Sequence, residues 1–160
     1  MKLYFLRHGD AEPGINISDH DRELTPRGVE RLQTAGRVMA RLGIKPARLY
    51  SSPRIRAQQT AEVAAEALHV NVEVREELNF GFDIGSLPAL LDGCATDDEV
   101  MLVGHEPTFS NAVGALTNAD IDMKKGGLAR VDLLDPASTS GVLIWLIAPK
   151  VFDALGTDAR

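Results

Sequence analysis

His8 stands directly after a short apolar run, Leu3-Tyr4-Phe5-Leu6, with Arg7 before it and Gly9 after it. A second polar segment, Ser52-Pro53-Arg54-Ile55-Arg56, follows Arg48 to Ser51. A third, Gly104-His105-Glu106-Pro107, follows Val100-Met101-Leu102-Val103. Two histidines and at least two arginines therefore recur at one kind of place, just beyond a candidate strand. In open α/β sheets that is where ligands bind. If the strands are parallel neighbours, the three segments converge on one crevice.

The residue types suit phosphoryl transfer. A phosphoryl group spreads its charge over several oxygens, so catalysis asks mainly for positioning and positive charge. Arginine supplies both through a planar fork that binds oxyanions in pairs. A neutral histidine can attack phosphorus and hold it as a phosphoramidate, which water then hydrolyses. A second histidine can donate hydrogen bonds to the phosphoryl oxygens, and no metal is required.

Each segment alone has an ordinary explanation. Arg7-His8-Gly9 fits a structural turn, and Gly104 to Pro107 fits a tight turn with a capping residue. Arg54 and Arg56 fit an exposed helix start, although cations there oppose the helix dipole unless an anion binds. A divalent-metal site built from His8, His105 and Glu106 or Asp10 is the chemical rival. Arg7 and Arg56 would repel such a cation, and no His-x-x-x-His pattern is present. The glycines match neither a dinucleotide nor a P-loop fingerprint, so neither metal nor cofactor is expected. His20 and His69 read as loop and helix-end residues, and Cys94 as a structural or surface thiol.

The elements that position these residues are legible in part. Leu3 to Leu6 and Val100 to Val103 read as buried strands, and Arg48 to Ser51 as a further strand. Alternation at Val70, Val72 and Val74 suggests a half-exposed strand near an edge. Leu128 to Leu134 and Val142 to Ile147 suggest a hairpin around Asp135-Pro136. Thr25-Pro26 opens a helix that Val29, Leu32, Ala35, Val38 and Leu42 continue to Gly43. A second helix runs from about Arg54 to Leu68, a short one starts near Ser86, and another spans Thr108 to Leu116. A polar loop fills Gly9 to Glu23. Strands alternating with helices predict an α/β fold of three layers, a mostly parallel central sheet flanked by helices.

The chain has 160 residues, 44% of them apolar, which suits a single domain spanning 1–160. The formal net charge of -6 argues against general nucleic-acid binding but says nothing about local clusters. One cysteine excludes an intrachain disulfide and fits a reducing cytoplasm. No apolar stretch is long enough to cross a membrane, and the N-terminal run is too short for a signal peptide.

Leu6-Arg7-His8-Gly9, the string from Ser52 to Thr60 with its Arg-Ala-x-Gln-Thr core, and Gly104-His105 together resemble the histidine phosphatase superfamily, the phosphoglycerate-mutase-like fold. The compact length and the segments Asp19 to Thr25 and Gly104 to Pro107 are similar to its small SixA-like phosphohistidine phosphatase branch. The resemblance implies a phosphorylated nucleophile at His8 and a phosphate pocket of Arg7, Arg56 and His105. Arg56 takes the family position because it precedes Ala57-Gln58-Gln59-Thr60, leaving Arg54 as an accessory residue or surface charge. Arg22 and Ser52 are candidate substrate contacts. The general acid is open among Glu106, Asp19 and, behind them, Glu77. The expected partner is a phosphorylated protein carrying phosphohistidine in signalling or phosphotransfer. The alternatives are a small phosphate ester, handled by a phosphomonoesterase or mutase, and a non-catalytic phosphate-binding module.

Overall fold

Leu3 to Leu6 and Val100 to Val103 carry apolar side chains at successive positions, as strands covered on both faces must. The computed structural model, which describes residues 1–157, places them at the centre of a six-stranded sheet. The strands are β1 (Lys2–Arg7), β2 (Arg48–Ser51), β3 (Val72–Val74), β4 (Glu99–Gly104), β5 (Leu128–Leu133) and β6 (Gly141–Ile147). Their order is β3-β2-β4-β1-β5-β6. β3, β2, β4 and β1 are mutually parallel, β5 runs against β1, and β6 runs against β5. Only β5 is reversed, so the expectation of a mostly parallel sheet holds.

Alternation along β1 divides the core. Leu3 and Phe5 point to one face, with Val100 and Leu102 of β4. That face is covered by Phe109, Val113 and Leu116 of α4 (Thr108–Thr117) and by Leu87 and Leu90 of α3 (Leu87–Leu90). Tyr4 and Leu6 point the other way, with Met101 and Val103. There they meet Ala35, Val38 and Met39 of α1 (Pro26–Arg41) and Ala57, Ala61 and Ala64 of α2 (Ile55–Leu68). Thr25 caps α1 by accepting the Gly28 N–H, and Pro26 sits at the first helical position.

The C-terminal segment adds an element that the sequence pattern does not mark. Beyond β6 the chain forms α5 (Pro149–Thr157), which packs on α1 and buries Phe152 in the core. A helix of nine residues with one fully buried side chain leaves little periodic signal. No helix among the described residues is long and apolar enough to cross a membrane.

Candidate active site

Sheet register brings the three segments together. Arg7 is paired with Gly104, and Ser51 with Val103, so β1, β4 and β2 end level. The next residues are His8, His105 and Ser52. Their backbones continue the ladder: His8 N–H donates to the Gly104 carbonyl and Ser52 N–H to the Val103 carbonyl, each at 3.0 Å. The rings of His8 and His105 lie with centroids 5.3 Å apart. Close packing under this rim needs glycine. A Cβ on Gly104 would come within 2.7 Å of the Phe109 ring, and one on Gly9 within 2.6 Å of Leu32 Cδ1.

The His8 ring has a fixed tautomer. Its Nδ1 lies 2.7 Å from the Gly9 carbonyl oxygen. A carbonyl only accepts, so Nδ1 carries the proton and Nε2 keeps its lone pair. Arg56 Nε–H reaches that Nε2 at 3.3 Å. Burial, opposed by the Gly9 hydrogen bond and reinforced by the charges of Arg56 and Arg7, pushes His8 well below the ordinary histidine value, to about 4. His8 is therefore neutral at physiological pH.

His105 is set by Ser52, whose Oγ lies 2.7 Å from His105 Nε2. The same Oγ accepts the Arg54 N–H at 3.3 Å, so its own proton is free to go to Nε2, leaving a proton on Nδ1. Burial, then the proximity of His8, Arg56 and Arg54, lowers His105 to about 3. Two donor nitrogens of this cluster, Arg7 Nε and His105 Nδ1, are buried without a hydrogen-bond partner.

The Ser52 to Thr60 segment has a residue-by-residue logic. Arg56 is 4% exposed and faces His8. Ala57 is fully buried. Gln59 accepts the Leu24 N–H at 2.8 Å and so anchors the end of the first loop. Thr60 Oγ1 accepts the Gly9 N–H at 3.1 Å while donating to the Arg56 carbonyl at 2.7 Å. One face of α2 thereby fixes both sides of the His8 loop.

Asp19 lies in a short 3-10 turn, Asp19–Asp21, of that loop. Its carboxylate is held by Arg54 at 2.6 Å, Arg56 at 3.1 Å and Arg22 at 3.1 Å. Its backbone carbonyl accepts a further bond from Arg56 at 2.9 Å. Desolvation acts to raise its pKa, but the Arg22 hydrogen bond and the Arg56 and Arg54 charges outweigh it, and Asp19 is held below the usual carboxylate range. Arg22 also donates to the Glu12 carbonyl at 2.8 Å, bracing the loop. Glu106 faces α4: its two oxygens accept from the N–H and hydroxyl of Ser110, at 2.8 and 2.5 Å. That is a helix-terminus cap, with a charge that also acts on Arg7. Glu77 is gripped by Arg75 at 2.7 Å, and no contact ties it to the histidines.

Arg54, expected to be an accessory residue or a surface charge, has its side chain only 17% exposed. It lies 3.6 Å over the Phe80 ring, and its Nε donates to Asn79 Oδ1 at 2.8 Å. Phe80 in turn stands edge-on to His105, centroids 4.9 Å apart. Asn79 and Phe80 had no sequence signal beyond an aromatic in a polar loop. Arg54 did have one, because it shares with Arg56 the unfavourable placement at a helix start. Among the described residues no group of three His, Cys, Asp or Glu side chains is disposed to hold a metal ion.

The profile of the histidine phosphatase superfamily (branch 1) matches residues 3–81. An uncharacterized protein of Picosynechococcus sp. (strain ATCC 27264 / PCC 7002 / PR-6) is 32% identical over 94% of this chain and 98% of its own. Phosphohistidine phosphatase SixA of Escherichia coli (strain K12) is 26% identical over 93% of this chain and 94% of its own. A solved structure of the protein histidine phosphatase SixA complexed with tungstate superposes with a TM-score of 0.83 at 26% identity, covering 94% of this chain and 98% of that one. The mixed sheet and its helical layers are those of the phosphoglycerate-mutase-like fold. The chain belongs to the histidine phosphatase superfamily and is similar to its SixA members.

Proposed function

We propose that this chain removes phosphoryl groups through a covalent intermediate on His8 Nε2, and that its substrate is phosphohistidine in a signalling or phosphotransfer protein of the cytoplasm. The observation that carries the first part is the His8 ring. Nδ1–H is committed to Gly9, so Nε2 offers a lone pair within a cluster of arginines. Arg7 and Arg56 would balance the phosphoryl charge, and His105, oriented by Ser52, would donate from Nδ1. An oxyanion also supplies acceptors for the buried Arg7 Nε and His105 Nδ1, which otherwise cost about 1–3 kcal/mol each.

In the first step Nε2 bonds to phosphorus as the phosphorus–nitrogen bond of the substrate breaks. The substrate imidazole, protonated on its other nitrogen, leaves as a neutral ring. Water then attacks phosphorus, releasing phosphate and restoring His8. Neither carboxylate near the pocket is poised to give a proton: Asp19 is ionised among arginines and Glu106 caps α4. A phosphohistidine substrate needs little such help, whereas an alkoxide leaving from an ester does. This asymmetry, with the likeness to SixA, supports phosphohistidine over a phosphate ester.

The test is phosphate release from a phosphohistidine-bearing protein by wild-type chain and by His8→Ala. Loss of release in the variant, with wild-type turnover unaffected by a chelator, is expected. Equal rates would remove His8 from the nucleophile's role, and activity abolished by chelation and restored by zinc would support the metal reading.

A further inference from the structure

The loop after the fourth helix is bound to the backbone of the nucleophile. Arg7 donates through Nη1 to the Met123 carbonyl at 2.7 Å. Gly126 N–H lies 3.1 Å from the Arg7 carbonyl and 3.0 Å from that of His8. The intervening Lys124 and Lys125 are carried on this tethered segment and both are exposed, and the charge of Lys125 acts on His8. Beyond them opens a groove of about 610 Å³ lined by Arg7, Arg27, Arg31, Lys124, Lys125 and Lys150, with Asp10 the one carboxylate lining it among the described residues. Arg31 is paired with Asp153 at 2.8 Å and Lys125 with Asp10 at 3.3 Å. Lys124 is paired with Asp122, both well exposed. Arg27 and Lys150 have no carboxylate partner among the described residues. Ala148, Pro149 and Lys150 bring the start of α5 to the groove wall, and that end of a helix favours negative charge.

This concentration of cations sits in a chain of net charge -6, so general composition does not account for it. The groove is continuous with the phosphate pocket through Arg7, and it holds far more than one phosphoryl group. We infer that it docks an acidic segment of the phosphorylated protein, flanking the residue whose phosphoryl group enters at His8. The inference rests on the reading of the substrate as a phosphoprotein. Charge complementarity of this kind acts on encounter and on partner choice, and it weakens with salt.

The test uses the double variant Lys124→Glu/Lys150→Glu, two exposed side chains outside the phosphate pocket, with its melting temperature checked against wild type. Binding is measured by fluorescence anisotropy with an unphosphorylated glutamate-rich peptide and its glutamine-rich counterpart. Turnover is measured with the phosphohistidine form of the acidic peptide and with p-nitrophenyl phosphate. Wild type should prefer the acidic peptide by about tenfold at low ionic strength, and the double variant should lose that preference. Activity on p-nitrophenyl phosphate should stay within about twofold, because the pocket itself is untouched. An acidic preference that survives in the variant, or equal binding of both peptides by wild type, overturns the inference. So does pyrophosphate binding that depends on Lys124 and Lys150 where the acidic peptide binding does not. If the preference is present and lost as expected while the phosphohistidine peptide is not turned over, the groove stands and the phosphohistidine reading falls.

Discussion

Replacing Asp19 with asparagine removes the charge that Arg54, Arg56 and Arg22 now share while keeping the shape of the side chain. On the proposed reading, the Asp19 carboxylate and a phosphoryl oxygen would compete for the same Arg56 guanidinium. Binding an oxyanion at Arg56 must therefore break or loosen that ion pair. The Asp19 side chain is 46% exposed, so each pair is screened and contributes only about 0.2–1 kcal/mol. The two pairs facing the pocket, with Arg54 and Arg56, together amount to about 1 kcal/mol. Asp19→Asn should then tighten inhibition by inorganic phosphate about fivefold. The assay is the inhibition constant of phosphate against p-nitrophenyl phosphate hydrolysis, with kcat on an alkyl phosphate ester followed in parallel. A general-acid Asp19 would behave differently: kcat on the alkyl ester, whose alkoxide needs a proton to leave, would fall by about 10²–10⁴ with phosphate affinity unchanged. Unchanged or weakened phosphate binding in the variant would refute the competition between carboxylate and phosphate.

Other consequences are equally concrete. The His8 ring should titrate by NMR near 4, and a midpoint near the ordinary histidine value would mean the ring is not desolvated as described. Because that value lies below the roughly 6.5 of an unfolded histidine, the unfolded state binds more protons between the two, and stability should drop as pH falls through that window. A His8→Gln variant should show a smaller drop in melting temperature over the same range. Glu106→Gln, which removes the charge but keeps an acceptor oxygen for Ser110, should cost about 0.3–1 kcal/mol of stability and leave turnover of an alkyl phosphate ester within about threefold; a hundredfold loss on the ester would make Glu106 the acid. Gly9→Ala should destabilise by about 1–3 kcal/mol, since its Cβ would press on Leu32, and an unchanged melting temperature would show that Leu32 gives way freely.

The site was legible where chemistry follows strand ends. His8, Ser52 and His105 could be placed together because apolar runs mark buried strands, and parallel strands deliver their next residues to one rim. Arg56 could be told from Arg54 only by the string that follows it, not by physics, since both stand at the start of α2. The Asp19 contacts were not legible, because they depend on how a polar loop folds back between Ala11 and Leu24. The basic groove was hidden for a related reason: Arg27, Lys124 and Lys150 are far apart in sequence and masked by a net acidic total. α5 escaped because its buried face is a single residue, Phe152.

The central claim is that phosphate passes through His8. Rapid quench of the chain with a phosphohistidine protein, held at neutral or alkaline pH because phosphohistidine is acid-labile, followed by peptide mass analysis, tests it directly. A phosphoryl group on the peptide containing His8, formed and lost at the rate of turnover and missing in His8→Ala, is the expected result. Full turnover with the label on His105 or on no residue of the chain would contradict it.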